Sequence, residues 1–112
     1  MGYTIGTPDR GDIVAFKPNG NENAHYSIKR VIGLPGETVE ILDGEVYING
    51  EKLEEEYVTT EILDVGILDE AMKLGKSEYF VLGDNRNNSS DSRLRDIGFV
   101  PEEFIQFGQF WE

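Results

Sequence analysis

Residues 38–53 read Thr38-Val39-Glu40-Ile41-Leu42-Asp43-Gly44-Glu45-Val46-Tyr47-Ile48-Asn49-Gly50-Glu51-Lys52-Leu53. Side chains alternate through 38–42, the chain turns at Asp43-Gly44, alternates back through 45–48, and turns again at Asn49-Gly50. Alternation with a period of two sorts apolar groups onto one face of a strand. Asp-Gly and Asn-Gly supply the positive φ angles that two-residue hairpin turns need. The stretch predicts a three-stranded antiparallel meander and points to a mainly β fold.

Working upstream, Leu34-Pro35-Gly36 suits a type II turn with proline at its second position and glycine at its third. Before it, residues 26–33 read as a strand. Residues 17–24 are turn chemistry, and Ile13-Val14-Ala15-Phe16 forms a further strand after a polar turn at Asp9-Arg10-Gly11-Asp12. Downstream, Glu54-Glu55-Glu56 reads as a solvated run rather than a metal site, because consecutive side chains diverge. Residues 67–74 suggest a short helix closed by Gly75. Residues 79–82 form a strand that delivers the chain into Gly83-Asp84-Asn85-Arg86. Pro101-Glu102-Glu103 begins a single helical turn, and residues 105–111 form a last strand. Phe104, Phe107, Phe110 and Trp111 read as core packing ahead of a membrane-contacting rim.

The chain has 112 residues, no internal repeat and no linker, so residues 1–112 are expected to form one domain. A net charge of −12 excludes nucleic acid as a partner, since a polyanion would be repelled. It also disfavours electrostatic docking on anionic lipid. The absence of cysteine removes disulfides, thiolate catalysis and cysteine-ligated zinc. No stretch approaches the roughly 20 apolar residues of a membrane-spanning helix.

Four places invite a chemical reading. Residues 83–93, Gly83-Asp84-Asn85-Arg86-Asn87-Asn88-Ser89-Ser90-Asp91-Ser92-Arg93, are all polar or glycine. They form either a long loop with Asx turns or a scaffold in which hydroxyls and ion pairs orient something. Asp91 and Arg93 lie close enough to pair, and arginine grips a carboxylate with two parallel hydrogen bonds. Lys29 sits mid-strand. Alternation places Ser27, Lys29 and Val31 on one face and Ile28, Arg30 and Ile32 on the other, so one of the two cations faces inward unless the sheet is open there. A lysine in that position is either solvated and paired, or desolvated into a base. His25, the only histidine, lies at a loop edge and makes a poor triad member. Arg10-Gly11-Asp12 reads as a turn ahead of a strand; as an adhesion tripeptide it is too short to be specific.

Taken in order, three segments resemble the last three sequence boxes of bacterial type I signal peptidases, the Ser/Lys endopeptidases that remove signal peptides from exported proteins. They are residues 10–16, residues 26–37 and residues 83–93, the last followed by Gly98-Phe99-Val100-Pro101. The resemblance implies coiled antiparallel β-sheets with at most one or two short helices. It makes Lys29 the general base and Ser89 the hydroxyl that orients it. Asp91 and Arg93 become a bracing pair, with Gly83, Asp84 and Arg30 in supporting roles. It implies no cofactor and no metal. Its partners would be the signal peptides of exported preproteins. The parent protein would be anchored in the bacterial cytoplasmic membrane and act at its extracytoplasmic face.

One departure matters. The family's nucleophile lies in a Ser-x-Met-x-Pro motif upstream of the Arg-Gly-Asp box. Here Tyr3-Thr4-Ile5-Gly6 does not provide it, and Ser27, Ser77, Ser89, Ser90 and Ser92 all lie outside such a motif. The expectation is therefore a C-terminal catalytic-core piece that holds the base, lacks the nucleophile and does not cleave peptides by itself. Strand edges bared by truncation would favour a dimer. The alternative is a naturally truncated paralogue that binds signal peptides or a partner without cleaving. A self-processing Ser/Lys domain fits residues 83–101 poorly, and no carboxylate pair stands out for glycosidase chemistry.

Overall fold

The structure, a computed structural model, describes residues 7–17, 23, 25–55, 62–63, 65–86, 91–93 and 97–106. Nine strands run in order: β1 (Ile13–Phe16), β2 (Ser27–Gly33), β3 (Thr38–Leu42), β4 (Glu45–Ile48), β5 (Glu51–Lys52), β6 (Met72–Lys73), β7 (Glu78–Leu82), β8 (Val100–Pro101) and β9 (Ile105–Gln106). A 3-10 turn, Glu102–Phe104, precedes β9. The strands make two antiparallel sheets, ordered β8-β7-β2-β1-β9 and β5-β4-β3-β6. The fold is mainly β, as the alternation predicts.

The meander forms as its sequence dictates. Asp43 and Gly44 have φ of 51° and 81°, and Asn49 and Gly50 have 52° and 86°, so both residues of each turn are left-handed. That conformation matches the twist of the flanking strands. Glu37 N donates to Leu34 O at 3.0 Å, and Gly36 has φ of 82°, which completes the type II turn.

Two apolar clusters hold the sheets. The first fills the space between them: Ile32, Phe80 and Leu82 from the five-stranded sheet meet Val39, Ile41, Val46 and Ile48 from the meander, with Ile62, Leu68 and Leu74. The second covers the opposite face of the five-stranded sheet with Val14, Phe16, Val31, Tyr79, Val81 and Val100. Phe104 packs against this second cluster, in line with the core reading. Phe107, Phe110 and Trp111 lie outside the described residues.

The helix expected over residues 67–74 does not form. Residues 66–71 turn and bend, and Met72 and Lys73 pair with Val39 and Thr38 as β6. The local propensity for helix loses to the tertiary context: β3 presents an open edge, and Leu74 N donates to Glu37 O at 2.8 Å to continue that attachment. Gly75 is no helix cap. Its N–H meets Glu78 Oε1 at 2.8 Å, and its carbonyl accepts from Gly36 N at 3.1 Å.

Gly33 sits where the two sheets leave no room for a side chain. A methyl group there would lie 2.8 Å from Val39 Cγ2, 2.9 Å from Leu74 Cδ1 and 3.1 Å from Phe80 Cβ. The β2–β7 register also shifts between Val31 and Gly33. Gly33→Ala should cost about 1–3 kcal/mol by overpacking. It should appear as a lower urea midpoint with an unchanged m-value; an unmoved midpoint would mean that this interface yields freely.

Candidate active site

The site is assembled at the end of the five-stranded sheet from four parts of the chain. Asp9 and Asp12 close a turn through two hydrogen bonds, Asp12 N to Asp9 O at 3.0 Å and Asp9 N to Asp12 Oδ2 at 2.7 Å. From there Gly11 N donates to Val31 O, and Val31 N donates to Asp12 O, both at 2.8 Å. Arg10 turns inward, donating to Ile32 O at 3.0 Å and to both oxygens of Glu37 at 2.7 and 2.8 Å. Glu37 in turn accepts Leu34 N at 2.7 Å. The Arg10-Gly11-Asp12 tripeptide is thus consumed internally, as the turn reading expects.

Lys29 lies opposite Val14, and Arg30 opposite Ile13, in the β1–β2 register. Both cations are partly buried, although Ile28 between Ser27 and Lys29 is 62% exposed, so the sheet is open at this end on the face of Ile28. Lys29 shares its face with Val14 and Val31, which are fully buried. Arg30 occupies the opposite face. Its Nε and Nη2 grip Asp84 at 2.9 and 2.8 Å, and its Nη1 donates to Gly11 O at 2.8 Å. One guanidinium so joins the turn before β1, strand β2 and the segment that follows β7.

That segment is organised around Asp91, which is 0% exposed. Its carboxylate accepts from Gly83 N and Arg93 N, both at 3.1 Å, and from Nε and Nη2 of Arg93, both at 2.9 Å. Arg93 Nη2 also donates to Arg86 O. Ser92 extends the sheet edge past β8: its N donates to Val81 O at 3.1 Å, and its Oγ accepts Val81 N at 3.0 Å. A charge this deep is tolerated only when paired and hydrogen-bonded, and Asp91 has four donors.

The carboxyls of the frame are held below their usual range. For Asp84 and Glu37 the chief cause is the hydrogen-bonded arginine, Arg30 and Arg10 respectively, acting against burial. For Asp91, burial alone would push the carboxyl up, but the hydrogen bonds from Arg93 and Gly83 outweigh it.

The structure therefore brings Arg30, Gly83, Asp84, Asp91 and Arg93 into one network, anchored on β2 at the residue after Lys29. Ser89 lies outside the described residues. His25 is exposed. Among the described residues no three acidic or histidine side chains are placed to hold a metal ion. Nor is any helix long and apolar enough to cross a membrane.

Sequence reasoning missed Glu55. It is partly buried and binds Arg86, itself 1% exposed, through bonds of 3.0 and 2.7 Å. Glu54 alone is exposed as expected of the acidic run, and Glu56 lies outside the described residues. Nothing in three consecutive glutamates distinguishes the middle one. Gly66 was missed too. At φ of 57° it lets Ile67 N reach Arg93 O at 2.9 Å, where a Cβ on Gly66 would overlap that carbonyl at 2.2 Å.

Comparisons with known proteins point to one family. A family model described as signal peptidase, peptidase S26, matches residues 1–109. A probable signal peptidase I-2 of Synechocystis sp. is 41% identical, covering 99% of this chain and 52% of the relative. A signal peptidase I of Rickettsia bellii is 39% identical over 93% of this chain and 47% of its own length. The chain thus spans about half the length of the curated relatives it matches. A crystal structure of a signal peptidase I from Enterococcus faecalis V583 superposes with a TM-score of 0.70 at 35% identity, covering 92% of this chain and 97% of that one.

A carboxyl lowered by its folded partners contributes stability that is complete above its unfolded value, near pH 4, and is lost as pH falls through the folded value. The urea midpoint should hold from about pH 8 to 5 and drop below about pH 4. Asp91→Asn should lose about 3–5 kcal/mol at neutral pH by leaving Arg93 buried without its counter-charge. The gap to the parent chain should narrow on acidification. A gap that stays constant down to pH 2 would remove Asp91 as the source.

Proposed function

Since this chain belongs to the signal peptidase family, peptidase S26, we propose that it forms the lysine-bearing part of a serine endopeptidase that removes signal peptides from exported proteins. Lys29 is the general base. In its neutral form it takes the proton of a serine hydroxyl as that oxygen attacks the scissile carbonyl. The acyl-enzyme forms as the C–N bond breaks and the proton passes to the departing amine; water then releases the acyl group. Ser89 orients the lysine, and Asp91 with Arg93 braces the loop that carries Ser89. The serine comes from chain beyond these residues, since no Ser-x-Met-x-Pro stands in this sequence. The substrates are signal peptides of exported preproteins, and the whole protein is anchored in the membrane.

The observation that supports this reading best is the grip of Arg30 on Asp84. The residue after Lys29 is tied by two hydrogen bonds, at 2.9 and 2.8 Å, to a loop 54 positions further along the chain. Lys29 itself is partly buried on a central strand rather than extended from a surface.

The test is to assay a signal-peptide substrate with the full-length parent and with these 112 residues alone. The full-length protein should cleave, and the 112-residue chain should not. In the full-length protein Lys29→Ala should lower kcat on the order of 10²–10⁴-fold, and Ser89→Ala should cause a smaller loss. Equal cleavage by the parent and Lys29→Ala would remove Lys29 from the mechanism. Full-length protein that binds signal peptides without cutting them would favour a purely binding role.

A further inference from the structure

Of the carboxylates in the arginine network, one comes from the end of the meander rather than from the site's own segments. Glu55 follows β5, and both its oxygens engage Arg86, at 3.0 and 2.7 Å. The side chain of Arg86 is fully buried and that of Glu55 is 10% exposed. Arg86 also donates from Nε to Gly83 O at 2.7 Å, while its own carbonyl accepts from Arg93. The guanidinium therefore closes the Gly83–Arg86 turn from within, and Glu55 anchors that guanidinium from outside.

Next to Gly83 stands Asp84, the carboxylate held by Arg30, which follows Lys29 directly. A continuous set of contacts thus runs from Glu55 through Arg86, Gly83 and Asp84 to Arg30 on β2. We infer that Glu55 is a positioning residue for the proposed active site: through Arg86 it sets the path of the loop after β7. This rests on the function proposed above for Lys29. It also gives the four-stranded sheet a role in that function. The same sheet's long connection supplies a second brace, Ile67 N on Arg93 O at 2.9 Å.

Two glutamate variants and a paired replacement in the full-length parent separate positioning from bulk stability. Glu55→Gln keeps the shape and removes the charge; Glu55→Asp keeps the charge and shortens the reach. Glu55→Leu with Arg86→Met replaces a buried ion pair by apolar groups, an exchange often neutral for stability. Glu55→Gln should lower kcat on the order of 10²-fold with KM within about twofold, the size expected of a misplaced catalytic group. Glu55→Asp should recover part of that loss. The paired replacement should regain the parent's Tm and still turn over slowly. If kcat instead follows Tm through the series, or Glu55→Gln turns over like the parent, the inference fails.

Hydrogen exchange on the 112-residue chain itself supplies a second arm. Glu55→Gln should speed exchange at the Gly83, Ser92 and Arg93 amides about tenfold, while the meander amides keep their protection. Unchanged exchange at those three amides overturns the inference. A full-length parent that cleaves no signal peptide would defeat the proposed function instead, and the exchange arm would still decide whether Glu55 holds the loop.

Discussion

The structure depends on the two-pronged grip of arginine on carboxylate. Among the described residues, Arg10 holds Glu37, Arg30 holds Asp84, Arg86 holds Glu55 and Arg93 holds Asp91, each through two donors and two acceptor oxygens. A planar guanidinium satisfies a carboxylate in one orientation, so each pair fixes direction as well as distance. Lys52 with Glu45, by contrast, lies at the surface and binds through a single contact, where an ion pair adds little. Three of the four clamps join segments distant in sequence, and the fourth closes the loop on itself.

Burial explains why these pairs fix the loop so tightly. Residues 83–86 and 91–93 contain no large apolar side chain, so packing of apolar groups cannot hold them, and hydrogen bonds do so instead. Asp91 and Arg93 sit at 0% and 4% exposure, where an unmatched charge would be prohibitive, so every departure from the observed path breaks several charge-assisted bonds together. No buried side-chain nitrogen or oxygen among the described residues lacks a partner. Such a network specifies one conformation where an apolar core would accept several.

Local signals made much of the fold legible in the sequence, and tertiary contacts hid the remainder. Asp43-Gly44, Asn49-Gly50 and Pro35-Gly36 state their turn types directly, because only a few residues tolerate those φ angles. Alternation in 38–48 then sorts Val39, Ile41, Val46 and Ile48 to the core, where the structure has them. Residues 67–74 carried a helical pattern that was overruled by the open edge of β3, and no local feature announces an edge that another segment needs. In the site, Asp91 and Arg93 were legible as a pair because they stand two positions apart. Glu55 and Arg86 were not, since they lie 31 positions apart and the glutamate looks like its neighbours.

The placement of Lys29 follows from where strands stop pairing. Strand β2 is paired to β1 from Ser27 to Arg30, but to β7 only from Arg30 onward. Lys29 therefore sits one residue beyond the last β7 contact, at the point where β7 gives way to Gly83. A side chain there keeps the rigidity of strand pairing on the β1 side and lies past the end of pairing on the β7 side. Arg30 is the first residue paired on both sides, and its guanidinium ties Asp84, just after β7, to the face of β2 opposite Lys29.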